Sequence, residues 1–502
     1  MLFKRLSCFL IVMMLCLPAF AEEKGALSFT LSGFDSSQYR DWTNNRFFSR
    51  MEEKTGIHFE VKQYSDVNVW TKEKASMKAG SGDLPDVLFK ARLTGDECLT
   101  LRENGVLIDL NPYLETCCPH LWALLREKPE VLSAITLPDG SIAALPYISD
   151  PSMQSYIWVN QEWLNTLRME MPTTAQEFVD MLTAFKTRDP NRNGKADEIG
   201  LGFLGPFDLK FLAHAFGLIA NDYNIFAENG QVKFMPLEED FRLFITWCHD
   251  LWNANLLDKN GFSITDDMRT VTDSNAKATY GAIITPMAAD IFNVSWAEDY
   301  AIMPPLSYNG VQVYRDFSGP ALRGTFAVTS HCQDPEAVLR WVDSLYTLEG
   351  SVLASIGMEN VDYLVDGDGT WRYLEAVQNN FDSFRGSNLI EGGSAEQPGI
   401  STAEFERLMS GSTMVTNVLS QQEAFSEFVR MPFPYYTLSQ EQKETIAPLQ
   451  AQLGYYVDMQ IARWVNGEEE ITDDSFAAFK TKLEDLDLND FLAFWQDVLN
   501  HI

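Results

Sequence analysis

Ser81-Gly82-Asp83-Leu84-Pro85-Asp86-Val87-Leu88-Phe89 is where the architecture of the chain first becomes legible. The helical pattern of 69–78 stops before it, Gly82 and Pro85 turn the chain, and the apolar run Val87-Leu88-Phe89 reads as a strand. Working back, 57–61 is a second strand, separated by Thr55-Gly56 from a helix over 39–54. Before that helix Leu27, Phe29 and Leu31 alternate with polar residues, as a half-buried strand does. Strand, helix, strand, helix, strand is the pattern of a parallel sheet with helices on its faces. Such sheets take ligands at the carboxyl ends of their strands. The loops at 33–37 and 86–92 are therefore the first candidate site segments.

Beyond Pro146 the pattern shifts. Residues 156–160 read as a short strand, and Thr174 with Glu177 three residues on forms a capping box. Phe178, Met181, Leu182 and Phe185 give that helix its apolar face. Residues 207–256 read as mostly helical, and 280–284 and 300–303 as strands returning to the first sheet. The chain is helix-rich from about 351 and ends in an amphipathic helix built on Phe491, Leu492, Phe494, Trp495, Val498 and Leu499. A boundary without a linker implies that the chain crosses between domains more than once. The expectation is an α/β fold of two lobes, each a doubly wound, mainly parallel sheet, with a helix-rich C-terminal region. The lobes are assigned as 22–146 plus 284–346 and 147–283 plus 347–502, with crossings near Pro146, Ile284 and Tyr346.

A chain of 502 residues is too long for one compact core. Its 38 basic and 71 acidic residues leave a formal charge of −33, which argues against nucleic acid and anionic membrane surfaces as partners. Lys4 and Arg5, the apolar run 9–17, Pro18 and Ala19-Phe20-Ala21 form a signal peptide over 1–21, so the protein is expected to be exported and periplasmic after cleavage near Ala21. Leu15 stands where a lipobox needs a small residue, so Cys16 is not read as a lipid anchor. Export permits disulfides. Cys98, Cys117, Cys118, Cys248 and Cys332 remain after cleavage, and two readings stay open: a bridge from Cys98 to Cys117 or Cys118, or five small buried hydrophobes.

The strongest local motif runs from Asp189 to Glu198. Calcium needs six to eight oxygens in a tight loop. Side-chain oxygens of Asp189, Asn191 and Asn193 alternate along the chain, Gly194 permits a sharp turn, the Lys195 carbonyl faces inward, and Asp197 and Glu198 close the shell. An EF-hand puts a bidentate Glu twelfth, where this chain has Gly200, so the loop is EF-like. The alternative is a polar turn held by its own Asn and Asp side chains. Gly200-Leu201-Gly202-Phe203-Leu204-Gly205 fits a dinucleotide pattern but follows a polar loop, which argues against a nucleotide. Asp366-Gly367-Asp368-Gly369 reads as a hairpin turn. The six histidines are scattered, and no nucleophile elbow or phosphate-binding loop is present. Twelve tryptophans suit sugars, whose flat C–H faces stack on rings. Trp42, Trp70, Trp158, Trp296 and Trp371 fall near strand or loop ends, whereas Trp247, Trp252, Trp341, Trp464 and Trp495 fall in helical patterns and read as core.

Taken in order, these pieces resemble the bacterial extracellular solute-binding proteins of family 1, in the branch with the alginate-binding and LipO-like proteins. The resemblance rests on Lys54-Thr55-Gly56-Ile57, on Ser81 to Val87, on Ala144-Leu145-Pro146-Tyr147, and on Glu162-Trp163-Leu164 followed by Pro172-Thr173-Thr174 and Glu177-Phe178. It continues through Tyr346 to Gly350, Gly357 to Tyr363, and Val465-Asn466-Gly467 to Trp495-Gln496. Trp158 and Val159 depart from the family's short Ile-Arg run. The resemblance implies a type II periplasmic-binding-protein fold, two lobes closing on a sugar and docking to the permease of an ABC importer. It also implies structural calcium held by Asp189, Asn191, Asn193, Asp197 and Glu198 with the Lys195 carbonyl.

The resulting expectation is a monomeric capture protein, without enzymatic activity, for a carbohydrate, in particular an oligosaccharide. Asp35, Gln38, Lys90 and Arg92 are expected to face the cleft from the first lobe, Trp158 and Trp371 from the second, and Trp296 from a crossover. The alternatives are an exported lyase or glycosidase, and a binding protein for a ligand other than sugar. The ligand's identity stays open.

Overall fold

The computed structural model describes residues 27–501 except 36–40, 81–82, 150–153, 264–278, 287, 289–296, 317–320, 367–370, 391–395, 403 and 406–412. The leader reading at 1–21, Gln38 and Trp296 lie outside the described residues.

Six strands form the first sheet, in the spatial order Gly399–Ser401, Leu145–Ser149, Leu322–Val328, Val87–Phe89, Leu27–Phe34, Ile57–Tyr64. Leu27–Phe34 pairs in parallel with both Ile57–Tyr64 and Val87–Phe89, as the opening pattern requires. Val87 and Phe89 enter one apolar cluster and Leu88 another, so both faces of this sheet are covered. The helices Arg46–Thr55 and Pro335–Asp343 cover one face through Phe47, Met51 and Trp341, and Val67–Lys78 covers the other through Trp70 and Met77. Gly33 is required by crowding, since a Cβ there would strike the Phe89 carbonyl.

Tyr300–Ile302, Tyr156–Asn160, Tyr280–Thr285 and Ile199–Gly202 form a second, four-stranded sheet in that order. A separate core surrounds it, drawn from 156–314 and 425–498. Thr174 caps the helix Ala175–Thr187 with both halves of the expected capping box present. Phe178, Met181, Leu182 and Phe185 of that helix are buried in this core. The long helix Gln440–Val465 and the final helices Asp473–Asp485 and Leu488–Asn500 close it from outside, with Trp464 stacked on Phe476 at 4.4 Å.

The sheets correct the chain tracing expected from the sequence. Tyr280–Thr285 and Tyr300–Ile302 stay in the second sheet, and Leu322–Val328 is the strand that returns to the first. Gly399–Ser401, assigned from sequence to the second lobe, extends the first sheet beside Leu145–Ser149. The chain passes between sheets after Ser149, between Arg315 and Leu322, and after Ser401. Strand direction follows from those crossings. Tyr156–Asn160 leads away from one and Tyr300–Ile302 leads back toward one, so these two run antiparallel, and Tyr280–Thr285 on the other side of Tyr156–Asn160 is antiparallel to it as well. In the second sheet only Ile199–Gly202 against Tyr280–Thr285 is parallel. Leu322–Val328 enters the first sheet from outside and is antiparallel to both of its neighbours for the same reason.

All five described cysteines are free and buried. Cys98 lies in one apolar cluster while Cys117 and Cys118 lie in another, on the opposite face of the first sheet. They are small hydrophobes, not a bridge, and burial pushes the Cys98 thiol up to about 12. Tyr363–Val365 pairs antiparallel with Trp371–Tyr373, the hairpin expected around Asp366, with the turn itself outside the described residues.

Candidate functional site

At the carboxyl ends of the first sheet, the expected ligand residues behave differently from one another. Lys90 and Asp35 are fully buried, with Lys90 Nζ 3.2 Å from Asp35 Oδ2 and donating to the Ile390 carbonyl at 2.6 Å. They tie strand ends to the 390 segment, which corrects their assignment as cleft contacts. Arg92 is exposed, with its guanidinium 5.7 Å from the Phe34 ring centre. Asp86 sits at the amino end of its strand, where its carboxylate accepts from the Thr30 N–H at 2.7 Å and the Thr30 hydroxyl at 2.8 Å. Asp86, the last residue of the Ser-Gly-Asp-Leu-Pro-Asp signature, therefore clamps two strands together.

The tryptophans are corrected too. Trp158 is buried in the second core and donates Nε1–H to the Thr285 carbonyl at 2.9 Å. Trp42 and Trp70 are buried in the first lobe. Trp371 is half-buried in the hairpin, edge-on to Tyr363 and Tyr373. That hairpin packs on the first lobe: Tyr373 meets Phe384, Arg50 pairs with Asp362 at 2.8 Å, and Asn45 donates to the Gly386 and Leu389 carbonyls. Trp371 therefore does not belong to the second lobe. Indoles fill volume as readily as they stack on ligands, and composition does not separate the two uses.

A different set of aromatics does meet a cavity. The segment 431–438, Met-Pro-Phe-Pro-Tyr-Tyr-Thr-Leu, runs as a strap between the two cores. On the first-lobe side Ser133 Oγ donates to the Tyr435 carbonyl, Arg323 Nη1 donates to Thr437 Oγ1 at 2.9 Å, and Asp96 pairs with Lys443. On the second-lobe side Phe433 and Tyr436 pack edge-on to Trp495, and Tyr223 stacks on it at 5.5 Å. A cavity of about 710 Å³ opens beside the strap, walled by Thr94, Gly95 and Arg323 from one lobe and Asn221, Asp222 and Tyr223 from the other. A second, of about 640 Å³, shares Tyr435 to Leu438 and lies against Leu132, Ser133 and Val498. The sequence signal for this feature was alternating prolines beside paired tyrosines, a pattern that favours extended chain.

Behind the cavity wall lies a buried polar group. Arg315 Nη1 donates to the Ala220 carbonyl, and its guanidinium faces the Phe211 ring at 3.9 Å. Burial brings the Arg315 pKa down to about 9, against attraction from Tyr314, Asp222 and Asp208. Asp208, buried and accepting from the Leu204 N–H at 2.7 Å, is pushed up to about 7 by burial. His214 accepts from the Leu306 N–H at Nε2, and burial lowers its pKa to about 4, so the ring is neutral. These groups are held by the core and face one another.

The Asp189–Glu198 loop forms as a tight turn. Asp189, Arg192 and Gly194 have positive φ, and Asp189 accepts from the Asn193 and Gly194 N–H groups. Asn191 Oδ1 accepts from Asn193 N–H, and Asn193 donates its amide to both Asp197 oxygens. That amide holds the Asp197 pKa down. The exposed Lys195 joins through its N–H to Asn193 Oδ1. Glu198 is the exception: it is 1% exposed, its Oε1 is buried without a hydrogen-bond partner, and burial with the nearby Asp197 and Asp189 carboxylates raises its pKa. An orphaned buried carboxylate oxygen beside two more carboxylates and two amides fits a hard cation. Among the described residues no group of three or more His, Cys, Asp or Glu side chains is gathered closely enough to hold a metal ion.

No family model matches the chain. It is 27% identical over 504 residues to the fructooligosaccharide ABC transporter substrate-binding protein FusA of Streptococcus pneumoniae, covering 95% of this chain and 90% of that one. Among solved structures, an extracellular solute-binding protein from Bifidobacterium longum subsp. infantis shares the fold with a TM-score of 0.75 at 20% identity, over 95% of this chain and 99% of that one. FusA as an EF-hand mutant matches with a TM-score of 0.63 at 23% identity, over 94% and 99% of the two chains. The alginate-binding protein AlgQ2 without calcium ion matches with 0.62 at 19%, over 95% and 98%. The chain's homologues are sugar-binding subunits of ABC transporters, and its fold is that of two-domain solute-binding proteins.

Proposed function

We propose that this homologue of sugar ABC transporter substrate-binding proteins captures an oligosaccharide between its lobes and delivers it to a membrane permease, without transforming it. The observation that carries the reading is the cavity beside the strap, walled by two separately cored α/β units and by tyrosines. A ligand there touches both lobes, so its binding energy favours their approach. Its rings can meet Tyr223 and Tyr435 while its hydroxyls meet Asn221, Gln450 and Thr94. The lobes are assigned as 27–149 plus 322–401 and 156–315 plus 413–500. Three crossings give the hinge that closure needs. Among the described residues no helix is long and apolar enough to cross a membrane. The residues Lys4 to Ala21 support export to the periplasm.

Calcium is assigned a structural role in the 189–198 loop, through oxygens of Asp189, Asn191, Asn193, Asp197 and Glu198 and the Lys195 carbonyl. The ion supplies positive charge that answers the crowded carboxylates.

Titration calorimetry with an oligosaccharide panel tests the capture reading. A ligand that binds should lose about 1–3 kcal/mol of affinity in Tyr223→Ala or Tyr435→Ala, the scale of a buried aromatic contact. Release of shortened sugar from any panel member would establish turnover and sink the binding-only reading.

A further inference from the structure

Trp495 is fully buried in the last helix, Leu488–Asn500, yet its ring meets three side chains that line the cavity beside the strap. Tyr223 stacks on it at 5.5 Å with the planes 18° apart, Tyr436 meets it edge-on at 4.7 Å, and Phe433 does so at 5.6 Å. We propose that Trp495 is a positioning residue for the captured oligosaccharide, fixing the ring planes of Tyr223 and Tyr436 at the cavity wall, a conclusion that rests on the capture reading above.

A sugar face stacks well on a ring only when the plane of that ring is set. Tyr223 sits in the turn at 222–223, where Asn221 Oδ1 accepts from its N–H at 2.9 Å. That bond holds the backbone. The Gln450 side chain hydrogen-bonds the phenol oxygen. Rotation of the ring about its own long axis leaves that oxygen in place, so this bond does not choose the plane either. The torsion concerned is broad and two-fold by nature. The indole supplies what is missing. It lies nearly parallel to Tyr223, whose side of the pair remains 38% exposed. Tyr436 is half-buried, and its edge contact with the same indole sets its tilt.

Trp495 can do this because it is itself firmly held. Phe491 and Phe494 of its own helix pack edge-on to it. Gln496, the next residue, accepts from the Val232 N–H at 2.9 Å and donates to the Gly230 carbonyl at 3.0 Å. These bonds fasten the helix to the hairpin of Ile225–Glu228 and Gln231–Phe234, whose first strand starts just after Tyr223. Indole and phenol are thus mounted on one frame, and a site supported by helices and strands keeps its geometry more closely than one on loops alone. Among the described residues, three of the five aromatic rings packed on Trp495 belong to the cavity wall. A change in the indole therefore reaches the ligand as well as the core.

The test is calorimetry on the full chain with an oligosaccharide that the parent binds. Trp495→Leu keeps an apolar side chain and removes the ring. It should weaken binding about three- to tenfold, the scale of an aromatic pair, while keeping a cooperative melting curve. If Trp495→Leu does not fold, Trp495→Met takes its place, since a flexible thioether fills the gap without a ring. Trp495→Phe keeps a ring to lie against Tyr223 and should restore most of the affinity. Tyr223→Ala separates positioning from a general loosening of the core. In that background Trp495→Leu should cost clearly less affinity than in the parent, because the ring it acts through is gone. Equal costs in the two backgrounds, or unchanged affinity in Trp495→Leu, overturn the proposal and leave sugar capture standing. Failure of every sugar to bind the parent overturns both.

Discussion

Lys90 Nζ lies 3.2 Å from the Asp35 carboxylate, and neither side chain is exposed to solvent. The pair joins the ends of two parallel strands, and the same ammonium reaches the Ile390 carbonyl. Residues that sequence placed at the ligand are thus an internal brace.

Removing one partner of such a pair leaves a buried charge alone. Lys90→Ala is expected to destabilise the fold by about 3–5 kcal/mol, read as a lower urea midpoint, while the folded fraction keeps its ligand affinity. A variant with unchanged stability and weakened binding would restore Lys90 to the ligand site.

Trp158 is held by packing and by its bond to Thr285. Trp158→Phe removes the donor to the Thr285 carbonyl and part of the ring, at a cost of about 1–3 kcal/mol. Chemical denaturation measures the loss, and calorimetry should find ligand affinity unaltered. A selective loss of affinity would contradict the core assignment.

Calcium bound to the native loop stabilises it by mass action, about 2.7 kcal/mol at a hundredfold excess over Kd. A chelator should therefore lower the melting temperature, and Asp189→Ala with Asp197→Ala should abolish the response. No chelator effect together with no ion by elemental analysis would leave the loop as a polar turn.

Asp208 carries a pH signature. Its folded pKa of about 7 lies above the ordinary 3.8, so between those values the native state holds a proton that the unfolded chain releases. Stability must then fall as pH rises through that window. Asp208→Asn keeps an acceptor for the Leu204 N–H without the ionisation, and should flatten the decline in urea midpoint between pH 5 and pH 7.5 relative to the parent. Parallel profiles would show that Asp208 is ionised without penalty.

Much of the local structure was legible in the sequence. The opening strands and helices, the Thr174–Glu177 box, the hairpin around Asp366 and the turn at Asp189 all depend on neighbours a few residues apart, where periodicity, caps and turn residues act directly. An α/β chain with more than one crossing follows from residue order alone. Three-dimensional packing settled which sheet each returning strand joins, because an apolar run is equally suited to either of two cores. It also decided that Trp42, Trp70 and Trp158 are packing, and that Tyr223 faces the cavity with Tyr435 from the far end of the chain. Hydrophobic burial is non-directional: the sequence specifies which side chains must leave water, but the partners that enclose them are fixed only when distant segments meet.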